Sequence, residues 1–283
     1  MATEKQRRVG IVGFGKLGKY LAKKILENNQ HDLAFIWNRT LTDELKYEFK
    51  NYILEDLKEF PSRKADVIVE VAHPKITAAY GEQFLQHADF MCGSPTALAD
   101  QHVECALHNA ARSHGLYIPT GAFWGGEDIR KMAEQGTLKG LKVTMTKYPT
   151  SFKLEGSLAA RYTVDVLASL KERTVLYKGP VREVCPLAPN NINTMAVASI
   201  AAHNLGFDTV QAELVADPNE KLNHIVEIEV FGPKDPNSAS AFHVKTTRTN
   251  PAAIGNVTGK ATFDSFYSSL LVAKDKGSGV HLC

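Results

Sequence analysis

The sequence predicts an α/β protein of two parts: an N-terminal doubly wound parallel sheet, then an α/β (α+β) domain whose sheet is mixed and largely antiparallel. Three observations carry this. The chain begins with an apolar strand, a glycine turn and a helix; apolar strands then alternate with helical patterns to about residue 120; beyond that the strands alternate polar with apolar residues. The first strand is Val9 to Val12, and Leu17, Leu21, Ile25 and Leu26 follow at helical spacing. "DLAFIW", "ADVIVEVA" and "ADFMCGSP" read as the next buried strands, with helices between them, as a parallel sheet requires. After "GLYIPTGA" come "LKVTMTKY", "RTVLYKGPV", "FDTVQAELVA", "HIVEIEVFG" and "SAFHVKTTRT", the period-two pattern of an open-faced sheet. Helices are expected near "GGEDIRKMAEQ" and "NTMAVASIAAHNLG", the second closing on a C-cap glycine. A last helix at about 260–275 is expected to return to the first domain. The expected boundaries are therefore 1–120 for nucleotide binding and 121–259 for catalysis and dimerisation.

The 283 residues, 44% hydrophobic and 23% charged, are ordinary for a globular protein. Basic and acidic residues number 33 and 31, for a net charge of +2, with no polybasic stripe for nucleic acid or a membrane surface. Cys92, Cys105, Cys185 and Cys283 lack CxxC spacing, so neither a zinc site nor a disulfide framework is expected. The apolar run after "MATEKQRR" is broken by glycines, Lys16 and Lys19, too short for a signal core or membrane span, and Cys283 as last residue leaves no prenylation box. A cytoplasmic protein with a small-molecule substrate, and no nucleic-acid, membrane or metal partner, is the expectation.

The stretch "GFGKLG" decides the ligand class. In a dinucleotide-binding turn the first glycine permits the bend, the second lets the backbone approach a pyrophosphate, and the third lets helix pack on strand. Gly13, Gly15 and Gly18 stand at those places. Lys16 and Leu17 open the helix whose unpaired N–H groups face the phosphates. A second apolar strand ends about 20 residues later, as the fingerprint requires. There an acidic residue would favour NAD; this chain has Asn38 and Arg39, and a charge-assisted bond from Arg39 to a 2′-phosphate would favour NADP by roughly ten- to hundredfold. Nothing excludes NAD, so the cofactor expected is NADP or NAD.

Eight stretches in order, "VGIVGFGKLG", "DVIVEVAHPK", "GSPTALAD", "TGAFWGGEDIRK", "LYKGPVREV", "APNNINTMAVASIAA", "LVADPNEKLNH" and "NPAAIGNVTGKA", resemble the L-aspartate dehydrogenase family, animal members above all. The resemblance implies a Rossmann domain, an α/β catalytic domain, a homodimer, and oxidative deamination of L-aspartate through iminoaspartate. It also implies nicotinamide-side contacts at Ala122 and Asn193. Asn193 is at the same time a candidate helix N-cap.

The catalytic residue implied by the resemblance is a histidine after "ADP", here His224, whose imidazole can act as general acid/base near neutral pH. Bacterial members read like "ADPxxxxNxH", so His224 arrives one residue early and an ungapped match puts Ile225 at the site. One residue in a strand reverses the facing. Either the preceding loop absorbs the shift or His224 points away; the alternation from Ile225 onward favours the first, with His224 still in the connection. His73, at the end of the third strand, and Ser94, in "GSPTALAD", are candidate substrate contacts. His243 is a packed or cleft-facing strand residue, and Lys147, Lys153, Arg161 and Lys178 are candidates for the substrate carboxylates.

The expected function is thus NAD(P)-dependent dehydrogenation of L-aspartate with His224 managing a proton. The alternative is a catalytically impaired NAD(P)-binding redox sensor or scaffold. An aldehyde-oxidising dehydrogenase would need Cys92 or Cys185 as thiolate.

Overall fold

A computed structural model describes residues 6–28, 30–256 and 261–283. The expected domain end at 259 and helix start at 260, and most of "MATEKQRR", fall outside the described residues. The first sheet begins with β1 (Arg7–Val12), β2 (His31–Trp37), β3 (Val67–Glu70), β4 (Asp89–Cys92) and β5 (Gly115–Ile118). The second comprises β6 (Gly140–Lys147), β7 (Thr174–Pro180), β8 (Gln211–Ala216), β9 (Asn223–Lys234) and β10 (Ala241–Pro251). The chain then returns through a helix, Ala261–Val272, to β11 (Gly279–Leu282).

The first sheet runs β11-β5-β4-β3-β1-β2, and its paired strands are parallel. Each of β3 and β5 is buried throughout, as strands covered on both faces must be. The second sheet runs β10-β9-β6-β8-β7, with β6 and β8 parallel and the other pairs antiparallel. The α/β class with a parallel and a mixed sheet is therefore as the sequence predicts.

The helix Lys16–Glu27 buries Gly18, Leu21, Ala22 and Ile25 against β1, and Phe266 and Leu270 of the returning helix join the same cluster. On the opposite face a second apolar cluster continues from Phe84, Phe90 and Leu116 into Val143, Met145 and Val226 of the second sheet. One core thus ties the two sheets together.

Three details depart from expectation. The helix Asn193–Ala201 ends at Ala202, not at Gly206, which with φ +64° opens a further short helix. The front half of "FDTVQAELVA" belongs to that helix. β11 has no counterpart among the predicted strands; with only Leu282 buried, it carries no apolar period to read.

Candidate active site

In the first sheet β1 lies between β3 and β2, so the chain leaves β1 in one direction and β3 in the other. Ligands of open α/β sheets bind outside the strand ends at such a switch point. Here the walls are Gly13, Phe14 and Gly15 from the turn, Trp37, Asn38 and Arg39 from the end of β2, and Val71, Ala72, His73 and Lys75 after β3. Gly13 has φ +112°, and a Cβ there would stand 2.7 Å from Ala72 N; at Gly18 it would stand 2.0 Å from the Gly13 carbonyl oxygen. At Gly15 a Cβ would meet nothing within 4 Å, because it would project into the open groove. No side chain caps the helix Lys16–Glu27 and no acidic residue stands in its first turn, which leaves its positive end for an anion. These residues fit a dinucleotide.

Asn38 is committed to holding the turn. Its Oδ1 accepts from Phe14 N at 2.9 Å and its Nδ2 donates to the Thr40 carbonyl at 2.6 Å. Arg39, by contrast, is exposed on the groove wall, and among the described residues its guanidinium makes no ion pair. His73 caps the helix Pro74–His87, its Nδ1 accepting from Lys75 N at 3.2 Å, and lines this nucleotide groove. It is not among the residues that line the pocket holding His224. Lys16 reaches out to Asn256 at 3.2 Å.

A buried carboxylate braces the neighbouring loops. Glu70, the last residue of β3, accepts from Ala72 N at 2.7 Å, His73 N at 2.8 Å, Ser94 Oγ at 3.0 Å and Thr77 Oγ1 at 2.8 Å. Burial raises its pKa and those four bonds oppose the rise. The Ser94 hydroxyl donates to Glu70, and its neighbours Gly93 and Pro95 line the cleft. Burial also pushes the Cys92 thiol far up and Cys185 up to about 12, so neither offers the thiolate that aldehyde oxidation needs.

The second pocket lies between the sheets. Leu17, Gly93 and Ala122 come from the first, and Lys147, Asn193, His224 and Asn250 from the second. Asn193 is the first residue of its helix rather than the N-cap, which is Ile192. Its Nδ2 donates to the Gly93 carbonyl at 3.4 Å, while its Oδ1 is buried with no hydrogen-bond partner. A buried acceptor left open costs about 1–3 kcal/mol, a debt that a donor on a ligand, such as a carboxamide or ribose hydroxyl, would remove.

His224 sits within β9, paired with Asn250, and not in the preceding connection. It shares the buried face of Val226, Ile228 and Val230, while Ile225 takes the other face. The early arrival therefore turns His224 toward the pocket. The β6–β9 register runs as far as Thr146↔Ile225, the pair next to Lys147 and His224 on their strands, and Lys147, His224 and Asn250 line the same pocket. All three are at least 95% buried. Burial, then the charge of Lys147, push the imidazole down to about 4, opposed by a bond with the Asn256 backbone. Lys147 is pushed down to about 7 by burial alone, since the imidazole is already neutral where the lysine titrates.

The other candidates lie outside. Lys153, Arg161 and Lys178 are exposed, and His243 stands on exposed β10 with its ring 3.9 Å from Glu229. Asn250 was not among the residues the sequence singled out.

Residues 128–269 match the family model described as aspartate dehydrogenase, C-terminal. The whole chain is 52% identical, over 288 aligned positions, to the whole of an aspartate dehydrogenase domain-containing protein of Xenopus tropicalis. The chain belongs to the aspartate dehydrogenase family. In this family member residues 13–119 also match the model described as homoserine dehydrogenase, NAD binding domain, so the first sheet and its groove form the nicotinamide-nucleotide part of an amino acid dehydrogenase. An L-aspartate dehydrogenase of Nitrosopumilus maritimus is 29% identical over 78% of this chain and 82% of its own length. The crystal structure of aspartate dehydrogenase from Thermotoga maritima shares the fold, with TM-score 0.69 and 20% identity across 96% of this chain and 98% of its own. No helix among the described residues is long and apolar enough to cross a membrane.

Proposed function

We propose that this aspartate dehydrogenase family member deaminates L-aspartate oxidatively to iminoaspartate, which hydrolyses to oxaloacetate and ammonia, with His224 as general acid/base. The observation that carries the reading is a buried, neutral imidazole in the same pocket as Asn193, whose Oδ1 is open. Gly13, Gly15 and Gly18, with Lys16 and Leu17, would hold the pyrophosphate; Ala122 and Asn193 would hold the nicotinamide, and Arg39 a 2′-phosphate where the cofactor is NADP. When bound, the nicotinamide accepts the hydride from the substrate α-carbon. His224 takes the proton from the substrate amine or from the water that attacks the imine. Its neutrality matters, because an imidazolium would have no lone pair for that proton.

His224→Ala is expected to lower kcat/KM for aspartate by roughly 10²- to 10⁴-fold while leaving cofactor affinity within about twofold. Cofactor reduction followed by absorbance, with a fluorescence titration of the cofactor, measures both. Binding without turnover by the unaltered protein, in both directions, would instead favour the sensor or scaffold.

We also infer that two copies associate through β10. It is the outer strand of the second sheet, and unpaired strand edges recruit further strands. Trp124, Phe242 and Val244 stand exposed beside Ile228, Val230 and Met132, an apolar patch of the kind interfaces use.

A further inference from the structure

Glu70 ends β3 in register with Val12, the last residue of β1, and with Cys92, the last of β4. The residues that follow those two strands are Gly13 of the nucleotide turn and Gly93 of the cleft wall, so one side chain stands between the two pockets. It is fully buried. An apolar side chain would fill the same space without the cost of desolvating a carboxyl group, so the group is there for what it holds. Its Oε1 accepts from Ala72 N and His73 N, which wall the groove, and from the hydroxyl of Ser94, next to Gly93. Its Oε2 accepts from Thr77 of the helix Pro74–His87, and its backbone carbonyl accepts from Gly93 N at 2.8 Å. The Gly93 carbonyl in turn accepts from Asn193 Nδ2, whose Oδ1 is left open. At the other end of this chain of contacts the Gly13 turn is packed on the Ala72 backbone.

We propose that Glu70 is the positioning residue that sets the nicotinamide contact against the pyrophosphate turn, and that it does so as a hydrogen-bond acceptor rather than as a charge. The proposal rests on the reading of Asn193 as the nicotinamide contact. One oxygen shared by Ala72, His73 and Ser94 fixes the span between groove wall and cleft wall, and a dinucleotide must meet both ends of that span at once. Without the Ser94 bond, Gly93 and with it Asn193 would drift relative to the turn. The nucleotide half would still find the groove, whereas the nicotinamide half would lose its hold. The same misplacement would slow hydride transfer, which depends on a near-attack geometry. The four groups bonded to the carboxyl are neutral, and two of them are backbone N–H groups that can only donate. A glutamine would turn its amide oxygen to these and its NH₂ to the Thr77 hydroxyl, which can accept.

Calorimetry of the full-length protein with NADH and with ADP-ribose, which lacks the nicotinamide, separates the two halves. The unaltered protein is expected to bind NADH at least roughly tenfold more tightly than ADP-ribose. Ser94→Ala, which deletes one bond and leaves Glu70 its other partners, should shrink that preference by about three- to tenfold while ADP-ribose affinity stays within about twofold. Glu70→Leu should shrink it by roughly tenfold or more, and Glu70→Gln should keep it within about twofold. A merely structural carboxyl group would lower Tm in Ser94→Ala and Glu70→Leu and leave the ratio of the two affinities unchanged, which overturns the proposal. A loss in Glu70→Gln equal to that in Glu70→Leu also overturns it, by assigning the role to charge. Where Glu70→Leu fails to fold, Ser94→Ala decides. No preference for NADH in the unaltered protein would instead fail the reading of Asn193, and the proposal with it.

Discussion

Arg39 and Asn38 are neighbours in sequence with opposite duties. Asn38 spends its amide on the glycine turn and the next residues, whereas Arg39 reaches the groove wall with its guanidinium in solvent. Replacing Arg39 with Ser is therefore expected to weaken NADP binding by roughly ten- to hundredfold and to change NAD binding by less than about twofold. A fluorescence titration with each cofactor checks it; equal losses for both would mean that Arg39 only shapes the loop. Residue type carried much of this. The glycines and the arginine have roles fixed by their own chemistry, so a motif announces them. Lys147 has no such signature, because a lysine ending a strand ordinarily points to water. Only the pairing of β6 with β9 brings it to His224. Ser94 shows the converse: its motif did not announce the buried acceptor that its hydroxyl finds in Glu70.

At the scale of elements, the turn after β1 and the strand β9 set the two halves of the site. Gly18 is the tightest point of the first. Because a methyl group there would run into the Gly13 backbone, Gly18→Ala should cost about 1–3 kcal/mol, lower Tm by roughly 2–12 °C and abolish cofactor binding. Thermal unfolding with and without cofactor measures this, and an unchanged Tm would show that the helix can shift instead. Gly15→Ala, which meets open space, should spare Tm and lose only the ligand. β9 shows what alternation can and cannot tell. The pattern of "HIVEIEV" identified a half-buried strand, and parity then put His224 on the face of Val226 and Ile228. What the pattern lacked was the start of the strand, since Asn223 and His224 carry no apolar mark and pair through Pro251 and Asn250 on another strand. β11 stayed hidden because a four-residue strand at a sheet edge needs little apolar sequence.

For the molecule as a whole, the outer face of β10 is the surface least accounted for by a single copy. With Phe242 48% and Trp124 65% exposed, Phe242→Glu should raise the dimer dissociation constant roughly tenfold or more without changing the far-ultraviolet spectrum. Sedimentation velocity across a concentration series reads it directly. A monomer in both proteins would remove the dimer. The return of the chain has a consequence for how the protein is made. Gly279 of β11 lies beside Gly115 of β5, and Phe266 and Leu270 seal the helix behind β1. A ribosome therefore releases the first five strands long before it has made the segment that covers them. The nucleotide half must wait, partly bare, until the intervening sheet has been synthesised, and that interval is when a holding chaperone has most to do.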